Sequence, residues 1–322
     1  MRLLVTGGSG FIGTNVVEEF LQRGDDVCSI DIVPPKYLAH RDVYKNVDIM
    51  DSASLENAFA DFKPTAVIHL AARADMEQRK GLQHFAPNIA GVANLIDAIG
   101  AAGSVQRTIF ASTRLVFDLG YEPRHETDYH ASTLYGESKA AGEELVRAAP
   151  NSIGAWTIVR PTGIWGPWFG EPYRQFFSMV KRGVYVHPGR KVVRKSYGYV
   201  GNSVYQLQRL LEANEAQIHK KTFWLADYQP VIVSDWAGQI ARHFGSRPVK
   251  SVPVSALRLA AAAGDGLGKL GKGFPMNSFR LNNMTNDMVY DTAGTEAVIG
   301  PLPVTLEDGT VQTIEWMRRQ GH

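Results

Sequence analysis

The sequence predicts a doubly wound parallel α/β sheet followed by a smaller C-terminal domain. Three observations predict it. Short apolar runs alternate with helical patterns up to Arg160, a glycine-rich turn joins the first run to the first helix, and turn residues dominate after Pro161. The boundaries drawn from that change are 1–162, with a returning helix near 201–212, and 163–322, mainly a substrate domain. A length of 322 residues suits about two domains. With 44% hydrophobic and 20% charged residues the chain reads as an ordinary globular protein, and a formal charge of +2 gives no reason to expect a nucleic-acid partner. The single cysteine, Cys28, forms no internal disulfide and fits a reducing compartment, the cytoplasm. No run approaches the roughly 18 apolar residues of a membrane span. A core strand at the N-terminus leaves no room for a signal peptide, and no metal site is expected.

Met1–Thr6 is the first strand, and Gly7-Gly8-Ser9-Gly10-Phe11-Ile12-Gly13 follows it directly. A buried strand, a glycine turn and a helix N-terminus in that order form a pyrophosphate site, because backbone N–H groups and the helix dipole face the anion. Ile12, Val16, Val17, Phe20 and Leu21 recur at helical spacing until Gly24. Val27–Asp31 is a second strand ending in an acid, 18 residues past Gly13. A carboxylate at that separation accepts hydrogen bonds from the adenosine ribose hydroxyls and repels a 2′-phosphate, which favours NAD over NADP. Leu55–Phe62 is a short helix, and Ala66–Leu70 a third strand running into Ala71-Ala72, where small residues admit a ligand. His69 within it reads as a satisfied core histidine. Asn88–Ala102 is a helix with Val92, Leu95, Ile96 and Ile99 on one face; Thr108–Ser112 is a fourth strand, Thr133–Ala148 a helix and Ala155–Val159 a fifth strand. Beyond Pro161 helices are expected at Phe176–Arg182, Gly201–Glu212 and Ser234–Phe244, the last with Ser234 as N-cap, and a strand at Thr222–Leu225. Gly264–Gly273 reads as a loop or lid, and Thr305–Asp308 as a capping-box variant opening the last helix.

Tyr135 and Lys139 stand four apart on a predicted helix and so share a face. A phenol, with a pKa of about 10, is a poor base at neutral pH, and a nearby ammonium favours the phenolate. Thr113, 22 residues earlier at the end of the fourth strand, offers a hydroxyl to the same substrate oxygen.

With these residues the sequence resembles the extended short-chain dehydrogenase/reductase family, in its nucleotide-sugar epimerase/dehydratase branch. Thr6 to Gly13 matches that family's cofactor loop, which explains the G-x-x-G-x-x-G spacing. The resemblance implies a Rossmann sheet binding NAD through Gly7, Ser9, Gly10, Phe11, Ile12 and Gly13, with Asp31 at the ribose and Asp48-Ile49 at the adenine. It adds Leu70, Ala71, Ala72, Asn88, Ser112 and Pro161, together with Tyr135 and Lys139, to the cofactor set. Thr113, Tyr135 and Lys139 fall where the family places its catalytic Ser/Thr, Tyr and Lys; Thr113, Gly163, Arg194 and Arg280 fall where it contacts substrate, Lys195 being the alternative to Arg194. A homodimer through Asn88–Ala102 and Thr133–Ala148 is implied as well.

The departures matter. Arg114-Leu115 stand where the family's dehydratases carry an acid pair, so 4,6-dehydration lacks its acid and base. Gly163 replaces an asparagine that contacts substrate, and Phe117-Asp118 a tyrosine–glycine pair. The expectation is an NAD-dependent nucleotide-sugar epimerase acting at C4 of a hexose. The alternatives are a net reductase or dehydrogenase of a keto-sugar or other carbonyl compound, and a dinucleotide-sensing protein without catalysis.

Overall fold

The computed structural model describes residues 1–75, 78–189, 191–269 and 277–321. The elements that build the site are β1 (Arg2–Thr6), α1 (Phe11–Gln22), β2 (Asp26–Asp31), β3 (Tyr44–Asn46), α2 (Ser52–Phe62), β4 (Ala66–His69), α3 (Ala90–Ala102), β5 (Arg107–Ala111), α4 (Leu134–Ala148), β6 (Ala155–Pro161), α5 (Val200–Glu212) and β7 (Lys221–Leu225). The strands form one seven-stranded parallel sheet in the order β7-β6-β5-β4-β1-β2-β3.

Central strands of such a sheet are covered on both faces, so they read as continuous apolar runs. Leu3, Leu4 and Val5 are all fully buried. In register, Leu4 lies opposite Cys28 on one side and Val67 on the other. Leu55 and Phe59 of α2 and Leu95 and Ile99 of α3 cover one face. Helix starts follow local chemistry: Asp51 accepts the Ser54 N–H at 3.1 Å to cap α2, and Thr133 accepts the Gly136 N–H at 3.0 Å to cap α4.

The chain leaves β1 towards β2 and β3, then returns to place β4 on the other side of β1. Ligands of open α/β sheets bind in the crevice at this reversal, outside the carboxyl ends of the strands. Gly7, with φ of +73°, and Ala71 face each other there, and a Cβ on Gly7 would stand 2.5 Å from the Ala71 nitrogen. A Cβ on Gly13 would lie 2.2 Å from the Gly7 carbonyl oxygen and 2.7 Å from the Gly8 Cα. Both neighbours are backbone and cannot swing aside. Gly13→Ala is therefore expected to cost about 3 kcal/mol, the upper range for overpacking. A lowered urea midpoint with an unchanged slope checks it, and a parent-like midpoint would mean the loop gives way.

Two compact units divide the chain. The first comprises Met1–Trp168, Gly198–Tyr228 and Asp291–Val304, so α5 and β7 belong with the sheet. The second comprises Phe169–Tyr197, Gln229–Tyr290 and Thr305–His322. Its centre is Trp236, 1% exposed, ringed by Phe176, Phe177 and Tyr197 and donating its indole N–H to Thr310 Oγ1 at 3.0 Å.

Several expectations need correction. The helix Val233–Phe244 starts one residue earlier than expected, with Ile232 at its N-cap, and Ser234 donates to Asp235 instead of capping. Residues 264–269 are not a loop but the end of the helix Val254–Lys269, because the alanine-rich turns before them carry the helix through its glycines. Residues 270–273 lie outside the described residues. Thr305 does cap the last helix, accepting the Asp308 N–H at 3.1 Å. Leu82–Ala102, a 3₁₀ turn run into α3, reaches the length and a mean hydropathy of 1.2 that a membrane span needs, contrary to the reading that no run does. Its Val92, Leu95, Ile96 and Ile99 are buried in the core of the first unit.

Candidate active site

The glycine loop and α1 come first. No side chain caps α1 at Gly10, so its first-turn N–H groups are open to an anionic group. Phe11 and Ile12 are half-buried there, whereas Ser9 is enclosed. The Ser9 N–H donates to Asp31 Oδ2 at 3.0 Å, and its hydroxyl donates to the Val33 carbonyl at 2.8 Å. The Val33 N–H donates to Asp31 Oδ1 at 3.2 Å. Ser9 thus aims the half-buried Asp31 carboxylate, a role spacing alone does not reveal. Ile49 is buried against the Gly91 backbone, and exposed Asp48 accepts the Met50 N–H at 2.9 Å.

Leu70 and Ala71 are half-buried and Ala72 exposed beyond β4. Asn88 is wholly buried and its side chain is fully engaged. Its Oδ1 accepts the Arg73 N–H at 2.7 Å, and its Nδ2 donates to the Arg73 carbonyl and Ser138 Oγ, each at 2.9 Å. It clamps the segment after β4 to α4.

Thr113 lies beside Tyr135 and favours ionisation of its phenol. Thr113 Oγ1 also accepts the Leu115 N–H at 3.2 Å, capping a 3₁₀ turn at Arg114–Val116. The half-buried Tyr135 ring lies 6.3 Å from that of Phe85. Burial pushes its phenol up to about 12, and Thr113 opposes that rise. The depression by Lys139 expected from sequence is not among the influences acting on the phenol. Lys139 is itself buried, which pulls its ammonium down to about 8, while Glu143 one turn further along α4 works the other way.

Glu143 and its partners were not anticipated. Glu143 is buried and accepts from Arg160 Nε at 2.8 Å and Nη2 at 2.6 Å, and from the Tyr129 hydroxyl at 2.9 Å. Arg160 also lies 4.8 Å from the centre of the Phe117 ring. The spacing of Glu143 four residues after Lys139 was the available signal.

His69 is only half satisfied. Its Nδ1 lies 2.7 Å from Thr6 Oγ1, but its Nε2 is buried with no hydrogen-bond partner among the described residues. Burial, then the Lys139 charge, pull its imidazole down to about 3. Between pH 6.5 and 3 the unfolded chain binds a proton at this site that the fold refuses. Its contribution to stability is therefore complete above pH 6.5 and is lost as pH falls towards 3. At about 1.36 kcal/mol per unit, moving from pH 7 to 4.5 should cost the parent about 2–3 kcal/mol more than a His69→Gln variant. Urea unfolding at the two pH values reads this, and equal losses would refute it.

Pro161 ends β6, and Gly163 is buried in a short strand at Gly163–Trp165. The two arginines belong to the second unit. Arg194 is exposed, with its backbone N–H donated to Asp287 Oδ1 at 2.8 Å; its alternative, Lys195, is buried with Nζ 3.2 Å from Asn283 Oδ1. Arg280 is exposed on the helix Ser278–Thr285. That unit has a cavity of about 680 Å³ whose walls include Lys191, Arg258, Asn282 and Asn286 but neither Arg194 nor Arg280.

Residues 3–225 match the model of the NAD dependent epimerase/dehydratase family. A 3β-hydroxysteroid dehydrogenase/Δ5→4-isomerase of Mycobacterium tuberculosis is 31% identical over 261 residues, spanning 76% of this chain and 70% of that one. UDP-glucuronate 4-epimerase 3 of Arabidopsis thaliana is 33% identical over 200 residues, spanning 56% of this chain and 46% of that one. The crystal structure of UDP-glucose 4-epimerase from Thermotoga maritima with UDP-glucose shares the fold, with a TM-score of 0.77 at 22% identity and full coverage of both chains. The chain belongs to the NAD-dependent epimerase/dehydratase family, and it is an enzyme of the extended short-chain dehydrogenase/reductase type.

Proposed function

We propose that this enzyme is an NAD-dependent nucleotide-sugar epimerase acting at C4 of a hexose. The observation that carries the reading is the juxtaposition of Thr113 and Tyr135, with buried Lys139 one turn beyond on the same helix. Thr113 orients the reacting hydroxyl, and Tyr135 takes its proton and later returns it. Lys139 holds the nicotinamide ribose. NAD, when bound, supplies a hydride acceptor that is regenerated in an epimerisation and consumed in a net oxidation.

Gly7, Gly10 and Gly13, with the first-turn N–H groups of Phe11 and Ile12, would hold the pyrophosphate. Asp31, aimed by Ser9, would take the ribose hydroxyls, which accept and donate where a 2′-phosphate only repels. Asp48, Ile49, Leu70, Ala71, Ala72, Ser112 and Pro161 would line the rest, with Asn88 fixing the segment after β4. Residues 1–162 would take NAD and 163–322 mainly the sugar nucleotide, with Gly163 near the sugar and Arg194 and Arg280 at the diphosphate. Pairing of two copies through α3 and α4 and a cytoplasmic setting complete the proposal; Cys28 is a buried free thiol that suits the latter.

A second reading is a net dehydrogenase or reductase of a keto-sugar or another carbonyl compound. The similarity to the steroid dehydrogenase over 76% of the chain favours it. NMR of the purified enzyme with a panel of nucleotide sugars and catalytic NAD, with absorbance followed at the reduced-nicotinamide band, separates the two. A new sugar epimer without NADH supports the epimerase. NADH accumulating with substrate supports the second reading, and no change with any sugar removes the first.

A further inference from the structure

Beside Lys139 the first unit has a small chamber of about 10 Å³, close to the space that one water centre needs. Its polar lining is His69, Ser112, Lys139 and Glu143, and the rest of the lining is apolar or glycine. Two of these groups have buried polar atoms with no partner among the described residues, His69 Nε2 and Ser112 Oγ. Their residues are 1% and 7% exposed. The other end of the imidazole fixes what Nε2 can do. Thr6 Oγ1 already accepts the Ala71 N–H at 3.1 Å, so its own proton is free for His69 Nδ1 at 2.7 Å. Assigning that proton to Nδ1 makes Nε2 the protonated nitrogen, a donor.

We propose that the chamber is a one-water site, and that His69 and Ser112, acting through that water, position the Lys139 ammonium. The water accepts from His69 Nε2–H and from Lys139, and donates to Ser112 Oγ. This meets the two to four polar partners that a buried water requires. The other charged groups at the chamber are already committed. The Glu143 carboxylate, from the same helix as Lys139, is taken by Arg160 of β6 and by Tyr129, with Arg147 Nη2 at 3.7 Å. From α3 the wall is Val92. His69, from β4, contributes hydrogen bonding without charge, so Lys139 is solvated and not repelled. His69 is thus a positioning residue, one step behind the lysine.

The proposal rests on Lys139 acting beside Tyr135, but its test needs neither cofactor nor substrate. In protein carrying ¹³C,¹⁵N-labelled lysine, the Lys139 side-chain resonance, assigned with Lys139→Arg, is titrated by NMR in parent, His69→Met, His69→Gln and Ser112→Ala. Losing the water should lower the Lys139 midpoint in His69→Met by about one pH unit, a tenfold loss of proton affinity. Ser112→Ala should shift it in the same direction, and His69→Gln should restore it. A high-resolution crystal structure of the parent should show one water bonded to both His69 and Ser112. A dry chamber, or a Lys139 midpoint unmoved in folded Ser112→Ala and His69→Met, overturns the proposal. If His69→Met does not fold, Ser112→Ala carries the test, because it removes only a hydroxyl. A failed epimerase assay would leave these outcomes unchanged.

Discussion

A Tyr135→Phe enzyme is expected to lose about a hundredfold to ten-thousandfold in turnover while leaving NAD binding largely intact. General acid–base catalysis by a positioned side chain is worth roughly 10²–10⁴-fold, and the phenol is the hydroxyl that lies beside Thr113 at the end of the sheet. The substitution should leave the fold in place. The ring keeps its packing against Phe85, and Thr113 keeps the Leu115 N–H. Burial pushes the phenol up to about 12, so the isolated protein does not present a phenolate at neutral pH. The base must be made when positive charge is brought to it, and Phe at this position removes that possibility altogether. Calorimetric titration with NAD and NMR turnover assays on the same preparation check both halves. Retained turnover removes Tyr135 from the proton transfer, and lost NAD binding would recast it as a cofactor ligand.

Much of the first unit is legible in the sequence because its strands are buried on both faces and its helices keep a clean apolar stripe. Leu3–Val5 and the stripe Val92, Leu95, Ile96 and Ile99 were read from pattern alone and are core. What escaped is of two kinds. Some elements are too short or too polar to carry a period, as with Tyr44–Asn46, three residues completing the edge of the sheet. The helix Val254–Lys269 hides its end behind glycines that normally break one. The second kind is pairing across long sequence separation. Spacing proposes Asp31 as a ribose ligand but says nothing of its hold on Ser9, 22 residues away. Lys139 was legible, but not that its neighbourhood is set by His69, Glu143 and Arg160. Periodicity says which face a residue takes; it does not say which buried group meets it there.

The Glu143–Arg160 pair carries the largest expected effect on stability. Both side chains are nearly inaccessible, at 2% and 3% exposure, and the guanidinium makes two hydrogen bonds to the carboxylate and one to the Glu126 carbonyl at 2.7 Å. Removing one partner of such a pair costs about 3–5 kcal/mol, because the survivor remains charged and unpaired in a low dielectric. Glu143→Gln and Arg160→Met should each lose about that much in urea unfolding. Glu143→Met/Arg160→Met should lose well under the sum, since no charge is left stranded. The single variants should also part company at Lys139. Glu143 opposes the burial that pulls the Lys139 ammonium down, so Glu143→Gln should lower the Lys139 midpoint below about 8. Arg160→Met leaves the carboxylate in place with a competing cation gone, and should raise it. Opposite shifts at Lys139 with equal losses of stability would separate the electrostatic role of the pair from its structural one. A loss under about 1 kcal/mol in either single variant would mean that water reaches the pair, and its influence on Lys139 would then be screened away.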